Sequence, residues 1–451
     1  MTRPVQPTSR MLTTLLLIPI LLVVACSQPE SPPAATIDGP AFPGDPWPAI
    51  RAERIATLLP AAMDDAGLQA WLTICRENDN DPMARHIGCE NAGGSAAFMF
   101  FRTEGGVTSV AISPAGEATA LAEKQIMDEV VEIERGSGLW GQVQVQLERF
   151  DPEQIGVNTG SSPIADGLSH SQYTAMAEAL SPRWIARVVS AEPMIHTWLA
   201  VKLPAEVEIM RRAAELTAQW EVEAYEAAIG GVTTDREIAD FLEARMEAAG
   251  VGDGWAPEQN PAVNSGRDRG HSHPTDRVIQ PGDFIQVDFG MKVHDMWVTD
   301  IQRFAYVLAP GETEAPPEAL ARWRAAVAGS RAAFEAMRPG VTGAEVDRAQ
   351  RQVMSANDSL PVMWSTGHPV GYWAHDSGPA LSGGRPGGTP SGRQLLELRP
   401  GMTFAFDGFH SWQLDGVDTK TLSVEEMVVI TQDGAEWLVP PQQELILIES
   451  R

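Results

Sequence analysis

Basic residues are scarce in this chain of 451 residues: 33 Lys and Arg stand against 60 Asp and Glu, giving a formal charge of -27. No basic run interrupts that negative field, so attraction to a phosphate backbone is excluded and nucleic acid is not expected as a partner. Cysteine is scarcer still, at 3 residues, with no CxxC pair and no Cys/His cluster to hold structural zinc. A Walker loop, an H-E-x-x-H helix and a G-x-S-x-G elbow are also missing, which removes the commonest routes to nucleotide, zincin and serine-hydrolase chemistry. What the chain does have is 43% hydrophobic residues and 13 Trp, enough for substantial cores, and a length that suggests two or three domains.

The one long apolar stretch, Met11 to Ala25, follows Arg3 and Arg10 and is shorter than the ~20 residues a spanning helix needs. It ends in Val23-Val24-Ala25-Cys26 and resembles a bacterial lipoprotein signal in which Cys26 is acylated. Ser27 rather than Asp then implies the outer membrane, with the protein facing the periplasm. Residues 27–48 contain seven prolines, the composition of a stiff tether. Cys75 and Cys89 remain; in an oxidising compartment they could close a 15-residue loop as a disulfide, the alternative being two buried thiols.

Residues 49–199 read as an α/β domain to which the sequence assigns no chemistry. Helices are expected over Ile50–Asp65 and Ser171–Leu180, with strands over Leu68–Ile74, Ala96–Phe101, Val107–Ile112, Val143–Leu147 and Gln154–Val157.

From residue 200 onward the sequence repeats itself. A long helix ending in Gly230-Gly231 leads to a Thr234-x-x-Glu237 capping box, and a second ending in Pro339-Gly340 leads to Thr342-x-x-Glu345. Each copy continues into a Pro-Gly turn and an apolar strand, Pro281 to Asp288 and Pro400 to Asp407, with Asp seven residues after Pro in both. The two Asp are therefore pseudo-symmetry mates. Asp300 and Glu425 follow them on further strands. Carboxylates closing apolar strands are costly to bury unless a cation accompanies them, and four in one cleft point to a divalent metal pair of Mn, Co, Fe or Zn holding a hydroxide.

Val287-Asp288-Phe289-Gly290, Thr299-Asp300-Ile301-Gln302-Arg303, Gly367-His368-Pro369-Val370-Gly371, His375-Asp376, Pro400-Gly401-Met402 and Val424-Glu425-Glu426 together carry a resemblance to the pita-bread metallopeptidases. That superfamily includes methionine aminopeptidase, aminopeptidase P and prolidase, along with the metal-free creatinases. The resemblance implies a creatinase-like α/β N-terminal domain followed by a duplicated, pseudo-two-fold α+β pita-bread domain over residues 200–451. It implies two divalent ions, manganese foremost, with Asp288 chelating one, Asp300 and Glu425 bridging both, His368 as the nitrogen ligand and Asp407 as the fifth ligand. It further implies metal-assisted hydrolysis of a peptide bond near a substrate N-terminus, an Xaa-Pro aminopeptidase or dipeptidase activity, and a homodimer. His375 resembles the histidine that stabilises the tetrahedral intermediate. His271 resembles the one that contacts substrate, with His273 as its alternative.

Two departures stand out. Asp407 occupies a position where the family has Glu in a Glu-Pro pair, and its side chain is shorter by about 1.5 Å; Gly408 after it would leave the backbone free to move in. Asp288 and Asp300 are also twelve residues apart where eleven is usual, an excess that a bulge in the hairpin would absorb. Two other readings therefore stay open: a catalytically weak binding protein of this fold, and a creatinase-like hydrolase of a non-peptide C-N bond. Trp364, Tyr372, Trp373 and Trp412 are expected either to wall an apolar substrate pocket or to be core.

Overall fold

The computed structural model describes residues 41–451 except 78–80, 90–93, 271–272, 385–387, 415 and 417, so the signal segment, Cys26 and His271 lie outside the described residues. The chain begins with α1 (Trp47–Thr57) and α2 (Leu59–Asp65), which replace the single helix expected over 50–65. Pro60 has no N–H to donate one turn back, and the helix breaks in front of it. Residues 41–48, read as tether, belong partly to the folded body: the Ala41 amide donates to the Ala249 carbonyl at 3.4 Å, and Phe42 meets the His294 ring edge-on.

The N-terminal domain continues through β1 (Ala70–Arg76), α3 (Ala84–Ile87), β2 (Ser95–Thr103), β3 (Gly106–Pro114), α4 (Ala115–Lys124), β4 (Glu129–Ile133), α5 (Leu139–Phe150), β5 (Ile155–Val157), α6 (His170–Ala179), α7 (Pro182–Ile185), β6 (Val188–Ser190) and α8 (Glu192–Ala200). The strands form one sheet in the order β4-β3-β2-β1-β5-β6. Period-2 alternation sends Leu72, Ile74, Met99 and Phe101 to one face, under α5 and α6. Trp71, Phe98 and Phe100 point to the other face, into a core shared with the second domain.

The strand expected at Val143–Leu147 is instead the middle of α5. Trp140, Val143, Leu147 and Phe150 recur at helical spacing and pack on the sheet, while Val145, which a strand would have buried with Val143, is 49% exposed. Just before α5, Gly136-Ser137-Gly138-Leu139-Trp140-Gly141 matches the G-x-G-x-x-G spacing of a nucleotide-binding turn. Here β4 is an edge strand, Gly136 and Gly138 supply positive φ for the turn, and the Ser137 hydroxyl bonds back to Glu134, so turn geometry accounts for these glycines.

The second domain holds the duplication. Its first half comprises α9 (Pro204–Ala227), α10 (Asp235–Ala249), β7 (Gly252–Asp253), β8 (Ala262–Ser265), β9 (Phe284–Phe289), β10 (Met291–Val293), β11 (Trp297–Val298) and β12 (Ile301–Val307). The second comprises α11 (Pro317–Ala336), α12 (Gly343–Ala356), β13 (Gly367–Pro369), β14 (Thr403–Leu414), β15 (Asp418–Ile430), β16 (Ala435–Trp437) and β17 (Ile446–Ile448). Both expected capping boxes form: Thr234 with Glu237 at the start of α10, and Thr342 with Glu345 at the start of α12. The two sheets run β17-β12-β9-β8 and β13-β14-β15-β16, each with an antiparallel central pair. No helix among the described residues is long and apolar enough to cross a membrane.

The domains are fastened by a buried cation. Arg54 of α1 is fully buried and donates to Glu206 Oε2 at 2.6 Å and to the carbonyls of Trp198 and Val201. A second fastening runs through α3, where Arg85 bonds Asp295 Oδ2 at 2.7 Å and the His294 carbonyl at 3.1 Å. Cys75 and Cys89 are joined as a disulfide with a Cα–Cα distance of 6.3 Å, tying the segment that contains α3 to the end of β1.

Gly408 has a packing role and not the backbone freedom anticipated for it. A Cβ at this position would collide with the Ala326 carbonyl and the Ser330 amide, so the missing side chain lets α11 rest directly on β14. Gly408→Ala is expected to destabilise the protein by about 1–3 kcal/mol through overpacking, read as a lowered denaturation midpoint. Replacing Cys75 and Cys89 together by Ala should cost about 3 kcal/mol for a loop of this size, and unchanged denaturant unfolding would contradict it.

Candidate metal centre

The strand registers decide which acidic groups share a face. Asp407 of β14 lies directly opposite Glu425 of β15, and Asp288 of β9 opposite Gln302 of β12. Asp300 precedes Gln302 by two residues and lies across from Gly290, whose amide and carbonyl are both taken by the Asn260 side chain at 3.0 and 2.8 Å. The register of Phe289 with Ile301 carries through unshifted to Val293 with Trp297. The extra residue between Asp288 and Asp300 is therefore absorbed in the turn and not in a bulge. His294 and Asp295 adopt positive φ there, and the Met296 amide closes on the Val293 carbonyl at 3.0 Å.

Three of the expected ligands come within coordinating reach of one another. Suitable atoms of Asp300, His368 and Glu425 all lie within 4.8 Å, with His368 Nε2 3.8 Å from Asp300 Oδ2 and 3.7 Å from Glu425 Oε1. Asp288, 3% exposed, and Asp407, 8% exposed, flank this group. Burial pushes the Asp300 carboxyl well above its ordinary range, and the charges of Asp288 and Asp407 push it further. Glu425 is driven up in the same way, by burial first and then by Asp300, Asp407 and Asp288, against a lowering hydrogen bond from Gln302. Four buried carboxylates, two of them raised by the charges of the others, form with an imidazole a donor set of hard oxygens and one nitrogen. That is the chemistry a divalent cation satisfies, so the residues fit a metal.

His368 sits on β13, half-buried, with Nδ1 3.3 Å from the Pro369 carbonyl and its ring 4.2 Å from that of His375 in an edge-on contact. His375 is exposed. His273 is exposed and bonds the Glu258 carbonyl. The segment leading toward His271 is held on β15: the Asp268 amide donates to the Thr419 carbonyl, and Asp268 Oδ1 accepts from the Thr421 amide, both at 3.1 Å.

The four aromatic residues divide. Tyr372 is core and donates to Glu206 Oε1 at 2.5 Å. Trp412 packs against Phe284 beneath Arg322. Trp364 and Trp373 are exposed at 43% and 37%. Sequence reading missed two residues beside the ligands. Lys202 is buried and pairs with Asp376 at 3.2 Å, next to His375. Gln302 lies inside a quoted motif and donates to Glu425 Oε2 at 2.6 Å. Counting pairs outward from Asp288 would have placed Gln302; nothing local marks Lys202.

Comparison with known proteins agrees with this geometry. Residues 208–432 match the model of metallopeptidase family M24. A probable dipeptidase PepE from Mycobacterium bovis is 27% identical over 296 residues, 64% of this chain and 72% of that protein. An Xaa-Pro dipeptidase from Pyrococcus furiosus is 25% identical over 311 residues, 67% of this chain and 80% of its own. Among solved structures, the X-Pro aminopeptidase of Thermotoga maritima superposes with a TM-score of 0.62 at 21% identity, covering 86% of this chain and 100% of that one. The dipeptidase PepE of Mycobacterium ulcerans superposes equally well, with a TM-score of 0.62 at 22% identity over 90% of this chain and 100% of that one. These superpositions extend over both domains of an N-terminal α/β and pita-bread architecture. With its duplicated half-sheets, its cleft of acidic residues and its match across the catalytic domain, the chain belongs to metallopeptidase family M24.

Proposed function

We propose that this metallopeptidase is an Xaa-Pro aminopeptidase or dipeptidase working with two divalent ions, manganese foremost. The observation that carries the reading is the convergence of Asp300, His368 and Glu425 within 4.8 Å, with Asp288 and Asp407 adding their charges to the same cleft. Asp288, Asp300, His368, Asp407 and Glu425 are the residues that would hold the metal. Divalent cations there would lower the pKa of water and polarise an amide carbonyl.

The side chains do the remaining work. His368 presents Nε2 between Asp300 and Glu425, and its edge-on contact with His375 keeps the two rings together. From there His375 donates a hydrogen bond to the oxygen of a bound peptide as negative charge develops on it. Asp407 takes the family glutamate's place as both ligand and proton acceptor. Its amide is anchored to the Thr366 carbonyl at 2.7 Å, beside the strand that carries His368.

A second reading is a single cation held by Asp300, His368 and Glu425, the three residues whose ligand atoms lie within 4.8 Å of one another. Elemental analysis of the purified protein, with assays on Xaa-Pro dipeptides, longer Xaa-Pro peptides and proline-free controls under added Mn2+, separates these outcomes. About two metals per chain and proline-dependent hydrolysis lost on chelation are expected. One metal, or hydrolysis indifferent to proline, would sink the reading. Asp407→Ala should lower turnover by at least the roughly 100-fold that loss of even an outlying metal partner can cost. If hydrolysis appears only in Asp407→Glu, the native Asp does not support catalysis.

The proposal extends to location. The segment ending in Cys26 anchors the protein as an outer-membrane lipoprotein facing the periplasm, and the Cys75–Cys89 disulfide suits an oxidising compartment. Cys26→Ala is then expected to abolish incorporation of labelled fatty acid, whereas undiminished labelling would disprove anchoring at this cysteine. By resemblance the working unit is a homodimer.

A further inference from the structure

At the register position facing Asp288 and Asp407 the two halves of the duplication differ, and the difference falls against a proposed metal ligand. Across from Asp407 stands Glu425; across from Asp288, the mate of Asp407, stands Gln302. The second carboxylate of the first half, Asp300, enters two residues earlier on the same face. At the matched position the fold therefore carries an uncharged amide, which does not add a fifth negative charge to the cleft.

That amide is engaged at both ends. Gln302 Nε2 donates to Glu425 Oε2 at 2.6 Å. Its Oε1 accepts twice, from Ser423 Oγ at 2.7 Å and from Gln286 Nε2 at 2.5 Å. Gln286 Nε2 also lies 3.3 Å from Ser423 Oγ, closing a ring of polar groups behind Glu425. Gln302, Ser423 and Glu425 are 4%, 8% and 3% exposed, so water has little access to replace these bonds. As a metal ligand Glu425 is ionised and only accepts, which turns the NH2 end of Gln302 toward it. The carbonyl end then accepts from Ser423 and Gln286, and turning the amide over would set its oxygen against the Glu425 carboxylate.

We propose, resting on the metal-centre reading above, that Gln302 is a positioning residue: it commits Glu425 Oε2 to itself and leaves Oε1 presented to the cleft, 3.7 Å from His368 Nε2. Ser423 and Gln286 act through Gln302, holding its amide in the donating orientation. The half-site of Asp288 thus supplies a support where the half-site of Asp407 supplies a ligand, and the pseudo-two-fold site becomes functionally asymmetric.

The test compares the wild-type protein with Gln302→Met, which keeps the length of the side chain and removes the amide, and with Ser423→Ala. Affinity for Mn2+ is read by titration calorimetry, and the ligand field by the visible spectrum of the Co2+-loaded protein. Gln302→Met is expected to bind Mn2+ about 10–100-fold more weakly, with a shifted Co2+ spectrum and a thermal midpoint close to wild type. Ser423→Ala should give a smaller change in the same direction. Wild-type affinity and an unchanged Co2+ spectrum in a folded Gln302→Met protein would overturn the proposal. If that variant does not fold, the same two null results in Ser423→Ala overturn it. A wild-type protein that binds no Mn2+ would overturn the metal-centre reading itself, and the positioning role would fall with it.

Discussion

Like charges held in a dry cleft repel, and the catalytic domain is arranged around making that repulsion bearable. Asp288, Asp300, Asp407 and Glu425 are each less than a tenth exposed, and they raise the pKa of Asp300 and Glu425 by burial and mutual charge. Arg303, three residues beyond Asp300, carries its charge to Glu426 at 2.9 Å, on the face of β15 away from the ligands. Lys202 is committed to Asp376. Both cations are thus spent on carboxylates that neighbour Glu425 and His375 in sequence. That partition keeps the ligand oxygens available, and the cost of their burial is offset only when a cation occupies the cleft.

The duplication explains how so many acidic residues reach one place, but symmetry alone would have produced a different site. Superposing the halves through Asp288 and Asp407 brings Gln302 onto Glu425, and brings Asn264, paired with Gln286, onto His368, paired with Ala405. At both positions the first half carries an amide where the second carries a proposed ligand. Asn264 uses its amide on the loop leading toward His271, accepting from Arg269 Nε at 3.0 Å and donating to the Gly270 carbonyl at 2.6 Å. Divergence after duplication has turned one copy toward support and loop placement while the other kept the coordinating groups.

Much of this was readable beforehand, and the reason is local. Capping boxes, Pro-Gly turns and the offset from Pro to Asp are properties of short segments, so both copies of the repeat were visible and their helices form where expected. What escaped reading depends on distant partners. The Val-Gln-Val-Gln-Leu run beginning at Val143 alternates like a strand, yet the sheet needed a helix there, and Trp140 and Phe150 complete its buried stripe. The excess residue between Asp288 and Asp300 could have entered anywhere in the hairpin; only pairing shows it in the His294-Asp295 turn. Gln302 stood inside a recognised motif without a role, because its role requires knowing that β12 and β15 face each other.

The N-terminal domain looks dispensable from sequence, having no chemistry of its own, yet its contacts converge on the elements that carry the site. Arg54 holds Glu206, and Glu206 also accepts from Tyr372 OH at 2.5 Å and Trp297 Nε1 at 3.1 Å. Trp297 belongs to the hairpin between Asp288 and Asp300, and Tyr372 to the segment between His368 and His375. His86 of α3 packs against the Tyr372 ring with centroids 4.6 Å apart, while Arg85 holds the hairpin tip. The Tyr372 amide donates to Asp376 Oδ2, which Lys202 also holds. A single buried carboxylate, Glu206, therefore joins one helix of the N-terminal domain to the hairpin between Asp288 and Asp300 and to the segment between His368 and His375. Losing Arg54 would remove the ion-pair partner of that buried charge, leaving Lys202 and hydrogen bonds to support it. The smaller domain is in this sense part of the metal centre's scaffold, and the hydrogen bonds that tie it there run through residues adjacent to the ligands and not through the ligands themselves.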